Sequence, residues 1–111
     1  MIGLSYYPYW IKKDYSETIA DLQFNLNDMA KRYNKEVMIV ECGMSWDSPT
    51  ACKSFLTDII AKTKAIAGGK GLGVFYWEPE GARSWSRYAL SAWGDDGKPT
   101  KAMDAFLWDG N

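Results

Sequence analysis

Four large apolar residues in succession, Val37, Met38, Ile39 and Val40, stop at the carboxylate Glu41 and a turn containing Cys42 and Gly43. Such a short apolar run, bounded by turn residues, reads as a strand buried on both faces, as in a parallel sheet covered by helices. Parallel α/β architectures carry their chemistry at the carboxyl ends of the strands, so Glu41 stands where a catalytic group would stand. Two other runs end in the same manner. Ile2 to Tyr7 leads into Pro8, Tyr9 and Trp10, and Leu72 to Trp77 leads into Glu78 and Pro79.

The segments between these runs have helical periodicity. Ser16 and Glu17 open the first, whose apolar residues Ile19, Leu22, Leu26, Met29 and Tyr33 recur at spacings of three and four and make one face. Asn34 and Lys35 turn the chain into the second strand. Ser48, as a side-chain cap, and Pro49, at the first helical position, open the second helix, with Phe55, Leu56, Ile59, Ile60, Thr63 and Ile66 on its buried face and Gly68–Gly69 closing it. Glu80 to Tyr88 reads as irregular. Pro99 starts a last short helix carrying Ala102, Met103, Phe106 and Leu107. The order β-α-β-α-β-α, joined by right-handed crossovers, requires a parallel sheet. Three strands leave two sheet edges unpaired, which predicts self-association, as a two-fold dimer through edges or interior faces.

A chain of 111 residues with 47% hydrophobic and 24% charged residues suits one folded domain. The net charge of −1 includes no basic stripe, which argues against a nucleic-acid partner. No run reaches the roughly 18 apolar residues of a membrane span. The amino terminus lacks the basic region and cleavage site of a signal peptide and runs directly into a strand. Without a single histidine a zinc site is not expected, and no cofactor motif is present: Gly68 to Gly71 precedes a strand rather than opening a helix. Cys42 and Cys52 flank one loop, so a disulfide is open to an exported protein; with no histidine to activate it, Cys42 reads as a packed thiol. Six Trp, seven Tyr and four Phe are the unusual feature, many of them in loops. Rings above a sheet suit the C–H faces of sugars, although small domains also use Trp simply for core area.

Side chains alternate along a strand. If Glu41 faces the sheet's interior side, simple alternation puts Val37 and Ile39 with it and turns Met38 and Val40 toward the helices. The same count groups Tyr7 with Ser5 and Gly3, and Trp77 with Phe75 and Gly73, so that Tyr7, Glu41 and Trp77 meet at one rim. Glu78 then points away, as a cap or an ion-pair partner beneath the loop, and Glu80 is left between touching substrate and touching nothing.

The pieces Ile2 to Pro8, Val37 to Gly43 and Gly71 to Pro79, followed by Ala89–Leu90 and Asp96–Gly97, resemble in order and spacing glycoside hydrolase family 53, the arabinogalactan endo-β-1,4-galactanases. The resemblance implies a partial TIM (β/α)8 barrel spanning residues 1–111 as a single domain. Its three βα units would be equivalent to strands six to eight, with parallel strands inside and helices outside. It implies a retaining glycosidase with Glu41 as nucleophile, Tyr7 donating a hydrogen bond to it, Trp77 beneath the sugar, and Trp10 and Glu78 as further substrate contacts. Its substrate would be β-galactan or a related plant polysaccharide, and its compartment secreted or periplasmic. The family's Glu-Thr-Gly-Tyr is Glu41-Cys42-Gly43-Met44 here, which changes fine substrate contacts. Some relatives hold calcium in the next loop; Asp47 is the only acid in this one, so no metal is expected. Nothing corresponds to the first five strands or to the acid/base glutamate, and a barrel of this kind takes about 250 residues. The isolated chain is therefore expected to be inactive. Two other readings stand beside it: a non-catalytic carbohydrate-binding or assembly module that reuses the barrel rim, and an unrelated flavodoxin-like enzyme, which lacks a phosphate loop.

Overall fold

The computed structural model describes residues 1–107. Three parallel strands, β1 (Ile2–Tyr6), β2 (Val37–Cys42) and β3 (Gly71–Val74), lie side by side in chain order. Helix α1 (Ile19–Tyr33) connects the first two and α2 (Pro49–Lys64) the second two, as the periodicity predicts. A short α3 (Arg83–Ser86) lies in the stretch expected to be irregular, and the last segment is a 3-10 helix, Lys101–Phe106, capped by the Thr100 side chain rather than started by Pro99.

Both helices pack on one face of the sheet. Leu22, Leu26 and Ala30 of α1 and Cys52, Phe55, Leu56, Ile59 and Thr63 of α2 are buried against Val37, Ile39 and Cys42 of β2. Each large side chain removed from water in this way contributes about 1.5 to 3 kcal/mol. The Phe55 ring sits between Tyr6 and Tyr15, at centroid distances of 5.6 and 5.5 Å. Ala102 of the 3-10 helix closes the outer side of the same core, with Met103 and Ala105 packed against it. Gly71 lies tight beneath α2: a Cβ there would come within 1.8 Å of the Thr63 carbonyl oxygen.

The element ends differ from expectation in instructive ways. α1 does not begin at Ser16. Asp14 accepts the Ser16 N–H and Glu17 reaches back to the Asp14 N–H, so this capping box closes a separate 3-10 turn, Tyr15–Glu17, ahead of the helix. Tyr33 is 57% exposed and leaves the apolar face. Ser48 precedes Pro49 as expected, but its hydroxyl donates to Asp47 and caps nothing. α2 stops at Lys64, so buried Ile66 packs from the connection, and Gly68–Gly69 belong to a 3-10 turn, Ala67–Gly69. Strand β3 ends at Val74 instead of Trp77. Even so, Phe75 N–H still donates to Ile39 O at 2.8 Å and Trp77 N–H to Cys42 O at 3.0 Å, so the extended chain keeps following β2.

The largest correction concerns the faces of β2. Val37 and Ile39 are fully buried under the helices, not on the interior side. Met38 and Val40 face the opposite way, and a Cβ on Gly3 of β1 would meet the Val40 side chain at 2.9 Å. Unbroken alternation would then send Glu41 into the helical layer. It does not go there, because the register slips at this point: Leu4 pairs with Ile39, and the next residue, Ser5, pairs with Glu41. Val40 is the extra residue of a β-bulge, and after it Glu41 shares the face of Ser5 while Cys42 pairs with Tyr6 on the core side. A second shift between Val37/Gly71 and Ile39/Val74 inserts one more residue into β3, at Leu72–Gly73.

Candidate active site

The face of the sheet away from the helices is open. Gly3 and Ser5 are exposed, as are Leu72 at 47%, Phe75 at 64% and Trp77 at 48%. Glu41 stands at its carboxyl end on the middle strand, and the Tyr7 hydroxyl donates to Glu41 Oε2 at 2.9 Å. Tyr7 lies just past the end of β1, so the bond ties two neighbouring strand ends together. Burial first, and the bond to Glu41 second, push the Tyr7 phenol well above its ordinary range, so it remains a donor at any pH the protein would meet. Glu41 Oε1 has no hydrogen-bond partner among the described residues. A carboxylate with one oxygen held by a neutral donor and the other free toward an open face can act as a nucleophile or accept hydrogen bonds from a ligand.

The loops behind Glu41 are fixed from the far side. Gly43 is buried, and a Cβ on it would press on Leu90 Cβ at 3.2 Å and touch the Tyr7 ring at 3.4 Å, so a side chain there would have to push Leu90 aside by a few tenths of an ångström. The Tyr76 hydroxyl donates to Leu90 O at 2.5 Å and accepts the Met44 N–H at 3.3 Å, pinning the loop after β2 to the loop after β3. Arg83 of α3 stacks on Trp46 at 4.9 Å, and Trp46 N–H donates to Ala89 O at 2.9 Å, a second clasp between these loops.

Of the residues singled out in the sequence, Tyr7 and Glu41 are in direct contact. Trp77 is anchored at the same end of the sheet through its bond to Cys42 O. Trp10 stands apart, 60% exposed and edge-on to Tyr9 at 4.9 Å, in a 3-10 helix Pro8–Ile11. Glu78 is exposed, has a left-handed backbone with φ of 47°, and joins no ion pair among the described residues. The expected ion pair beneath the loop is thus not formed among the described residues. Its charge reaches Tyr88 instead. Tyr88 itself had no signal in the sequence beyond its aromatic character. Burial raises its phenol, and Tyr7, Glu78 and Glu41 lie within electrostatic reach of it, so a second tyrosine stands near the Tyr7–Glu41 pair.

Cys42 and Cys52 are buried, free thiols rather than a disulfide. Burial raises both, Cys52 to about 11 and Cys42 further, which matches packed thiols and not nucleophiles. Asp47 is held below the usual carboxylate range by hydroxyl donors, Ser45 first and Ser48 second, both of which donate to its Oδ1. No helix among the described residues is long and apolar enough to cross a membrane.

A profile described as Glycosyl hydrolase family 53 matches residues 1–54 and 47–109, which together take in nearly the whole chain. The chain belongs to glycosyl hydrolase family 53. Similar proteins include an uncharacterised protein in the bgaB 5' region of Niallia circulans, 30% identical over 86% of this chain and 32% of its own length. An arabinogalactan endo-beta-1,4-galactanase of Cellvibrio japonicus is 28% identical over 97% of this chain and 35% of that enzyme. The corresponding enzyme of Thermothelomyces thermophilus is 32% identical over 71% of this chain and 27% of its own length. A solved structure from work on two fungal beta-1,4-galactanases superposes with a TM-score of 0.75 at 25% identity, covering 95% of this chain and 36% of the other. The three-strand sheet and its helices are thus a part of the family's α/β barrel, and this chain spans about a third of the length of the curated relatives it matches. The two matched stretches overlap at residues 47–54, where the loop after β2 enters α2. The Cellvibrio alignment runs over 139 positions, more than the 111 residues here, so that relative carries insertions.

Proposed function

We propose that this chain carries the nucleophile side of a retaining endo-β-1,4-galactanase site. The observation behind the proposal is the bulge-directed placement of Glu41 on the open face, with Tyr7 bonded to one of its oxygens at 2.9 Å. Glu41 Oε1 attacks the anomeric carbon of a β-galactosyl unit and the bond to the leaving oxygen breaks, giving a glycosyl-enzyme ester. Tyr7 holds the second oxygen in place during attack. Trp77 supplies the ring beneath the sugar, and Trp10 and Glu78 touch it further along. Protonation of the leaving oxygen, and later deprotonation of the incoming water, needs a second carboxyl group about 5 to 5.5 Å away. The family's acid/base glutamate has no counterpart among these three βα units, so the isolated chain does not hydrolyse galactan.

An activated substrate separates the two roles. A 2,4-dinitrophenyl 2-deoxy-2-fluoro-β-galactoside loses its phenolate without an acid and leaves a slowly hydrolysed ester. Mass spectrometry of the treated chain is expected to find one adduct on the peptide containing Glu41, absent in Glu41→Gln, while galactan releases no reducing ends. An unlabelled wild type, or an equal label on the variant, refutes the nucleophile assignment. Galactan turnover that disappears in Glu41→Gln refutes the inactivity.

The exposed rings of Trp10, Phe75 and Trp77 support a second reading, a carbohydrate-binding module without chemistry. Its mark is binding of galacto-oligosaccharides in titration calorimetry with no adduct at Glu41.

A further inference from the structure

Outward from Glu41, between the loop after β1 and the loop after β2, lies a cavity of about 590 Å³ that the galactanase reading leaves unused apart from Trp10. Clefts of a few hundred Å³ are the size that holds small ligands. One wall is aromatic, made by Tyr9 and Trp10, whose rings meet edge-on at 4.9 Å. The opposite wall comes from Met44, Ser45 and Ser48. Both serine hydroxyls donate to Asp47, at 2.6 and 3.2 Å, so toward the cavity their oxygens can only accept. Flat rings facing hydroxyl acceptors suit a pyranose, with its C–H face on the indole and its hydroxyls toward the serines.

The floor is cationic. Lys12 and Lys13 both line the cavity; their backbone N–H groups donate to Tyr9 O and Pro8 O, and neither ammonium group enters an ion pair or hydrogen bond among the described residues. One carboxylate, Asp14, is also on the lining: the Ser16 hydroxyl first and the Ser16 N–H, which donates to its Oδ1, second hold it below the usual carboxylate range, so it is ionised and offsets one of the two lysine charges. Lys12 takes a left-handed backbone, with φ of 56°, as the C-cap of the Pro8–Ile11 3-10 helix, where its N–H donates to Pro8 O and Tyr9 O and fixes its position on the lining. Two lysines against one carboxylate, beside a wall that can stack a sugar, favour an anionic sugar over a neutral one.

We infer that this cavity is a subsite for an acidic saccharide, a pyranose ring stacked on Trp10 with its carboxylate set between Lys12 and Lys13. The inference rests on the carbohydrate reading of the rim but not on the role of Glu41, which the fluorogalactoside adduct tests on its own.

Titration calorimetry on the whole chain would compare a neutral β-1,4-galacto-oligosaccharide with one of equal length bearing a single hexuronic acid residue. The expected result is about tenfold tighter binding of the acidic ligand at low salt, falling toward parity as salt screens the lysines. Lys12→Met with Lys13→Met removes this preference and leaves the neutral affinity unchanged. Both substitutions are at exposed positions and are not expected to disturb folding. Trp10→Ala weakens both ligands, and acetate does not compete. Equal affinities, or a preference that survives the double substitution, overturn the subsite while sparing the carbohydrate reading. Failure of both ligands to bind overturns the two together.

Discussion

The two faces of the sheet are made from the same strands and do opposite work. Toward the helices, Val37, Ile39 and Cys42 are wholly buried, and Phe55, Leu56 and Ile59 fill the space above them. On the other side Gly3, Ser5, Leu72, Phe75 and Trp77 are exposed, and Glu41 is the carboxylate among them. The first face supplies the folding free energy and the second is free to present chemistry, and the bulge at Val40 transfers Glu41 from one to the other. A single extra residue therefore decides which face carries the carboxylate.

The sharpest way to break this contrast is a matched pair of truncations. Phe55→Ala, at a position with no exposure and two ring contacts, is expected to lower the unfolding free energy by about 3 to 5 kcal/mol in a urea titration. Phe75→Ala removes the same ring from a position 64% exposed and is expected to change stability by less than about 0.5 kcal/mol. Comparable losses would mean that the open face is covered in solution. A loss for Phe75→Ala that grows with protein concentration would identify the cover as a second copy of this chain, the self-association that the unpaired edges suggest.

Legibility in the sequence follows the same division. The strand and helix order, the parallel sheet and the two amphipathic faces could be read because each depends on local periodicity, and the helices needed only end corrections. Glu41, Tyr7 and Trp77 could be singled out because each ends an apolar run. The facing of Val37 and Ile39 could not be read correctly. Alternation is a rule for unbroken ladders, and a bulge is a property of two strands together, fixed here by how Ser5 pairs with Glu41. With Glu41 on the interior side, simple alternation carries Val37 and Ile39 there with it, whereas the bulge puts Val40 on that face and leaves Val37 and Ile39 under the helices. Tyr76 and Tyr88 were invisible as site supports because their partners, Leu90 O, Met44 N–H and Tyr7, are distant in sequence and two of them are backbone.

Tyr76 sharpens the comparison next, since it joins the two regions. Its hydroxyl is the buried tie between the loops behind Glu41, and Tyr76→Phe leaves the Leu90 carbonyl without that donor. The expected cost is about 1 to 3 kcal/mol in stability, with faster hydrogen exchange confined to residues 43–48 and 88–92. A change spread evenly over the helices would show that the ring's packing matters and the bond does not.

The buried thiols give a smaller effect with a defined sign. Burial raises the Cys52 thiol from 9.0 to about 11, and Cys42 moves in the same direction. Both are protonated more readily in the folded chain than in the unfolded one. Their contribution is therefore fully present below about pH 9 and lost as pH rises toward 11. The urea midpoint should fall over that window, and Cys52→Ala should flatten the fall. A midpoint unchanged across it would mean that the core face admits water.

Tyr7→Phe has the smallest expected effect on stability and probes the open face alone. The bond it removes is only half-buried, so unfolding should change by less than about 1 kcal/mol. The informative readout is the rate at which the fluorogalactoside labels Glu41. A phenol donating to a carboxylate has two opposed consequences: it fixes the direction of the free oxygen, and it draws electron density from the attacking group. If fixing dominates, the variant's carboxylate rotates and labelling slows about tenfold, the equivalent of roughly 1.4 kcal/mol of lost positioning. If withdrawal dominates, labelling accelerates. Because Tyr88 stands near the Tyr7–Glu41 pair, Tyr88→Phe should move the rate in the same direction by less. Opposite signs for the two variants would separate Tyr88 from the pair and leave Tyr7 holding Glu41 alone.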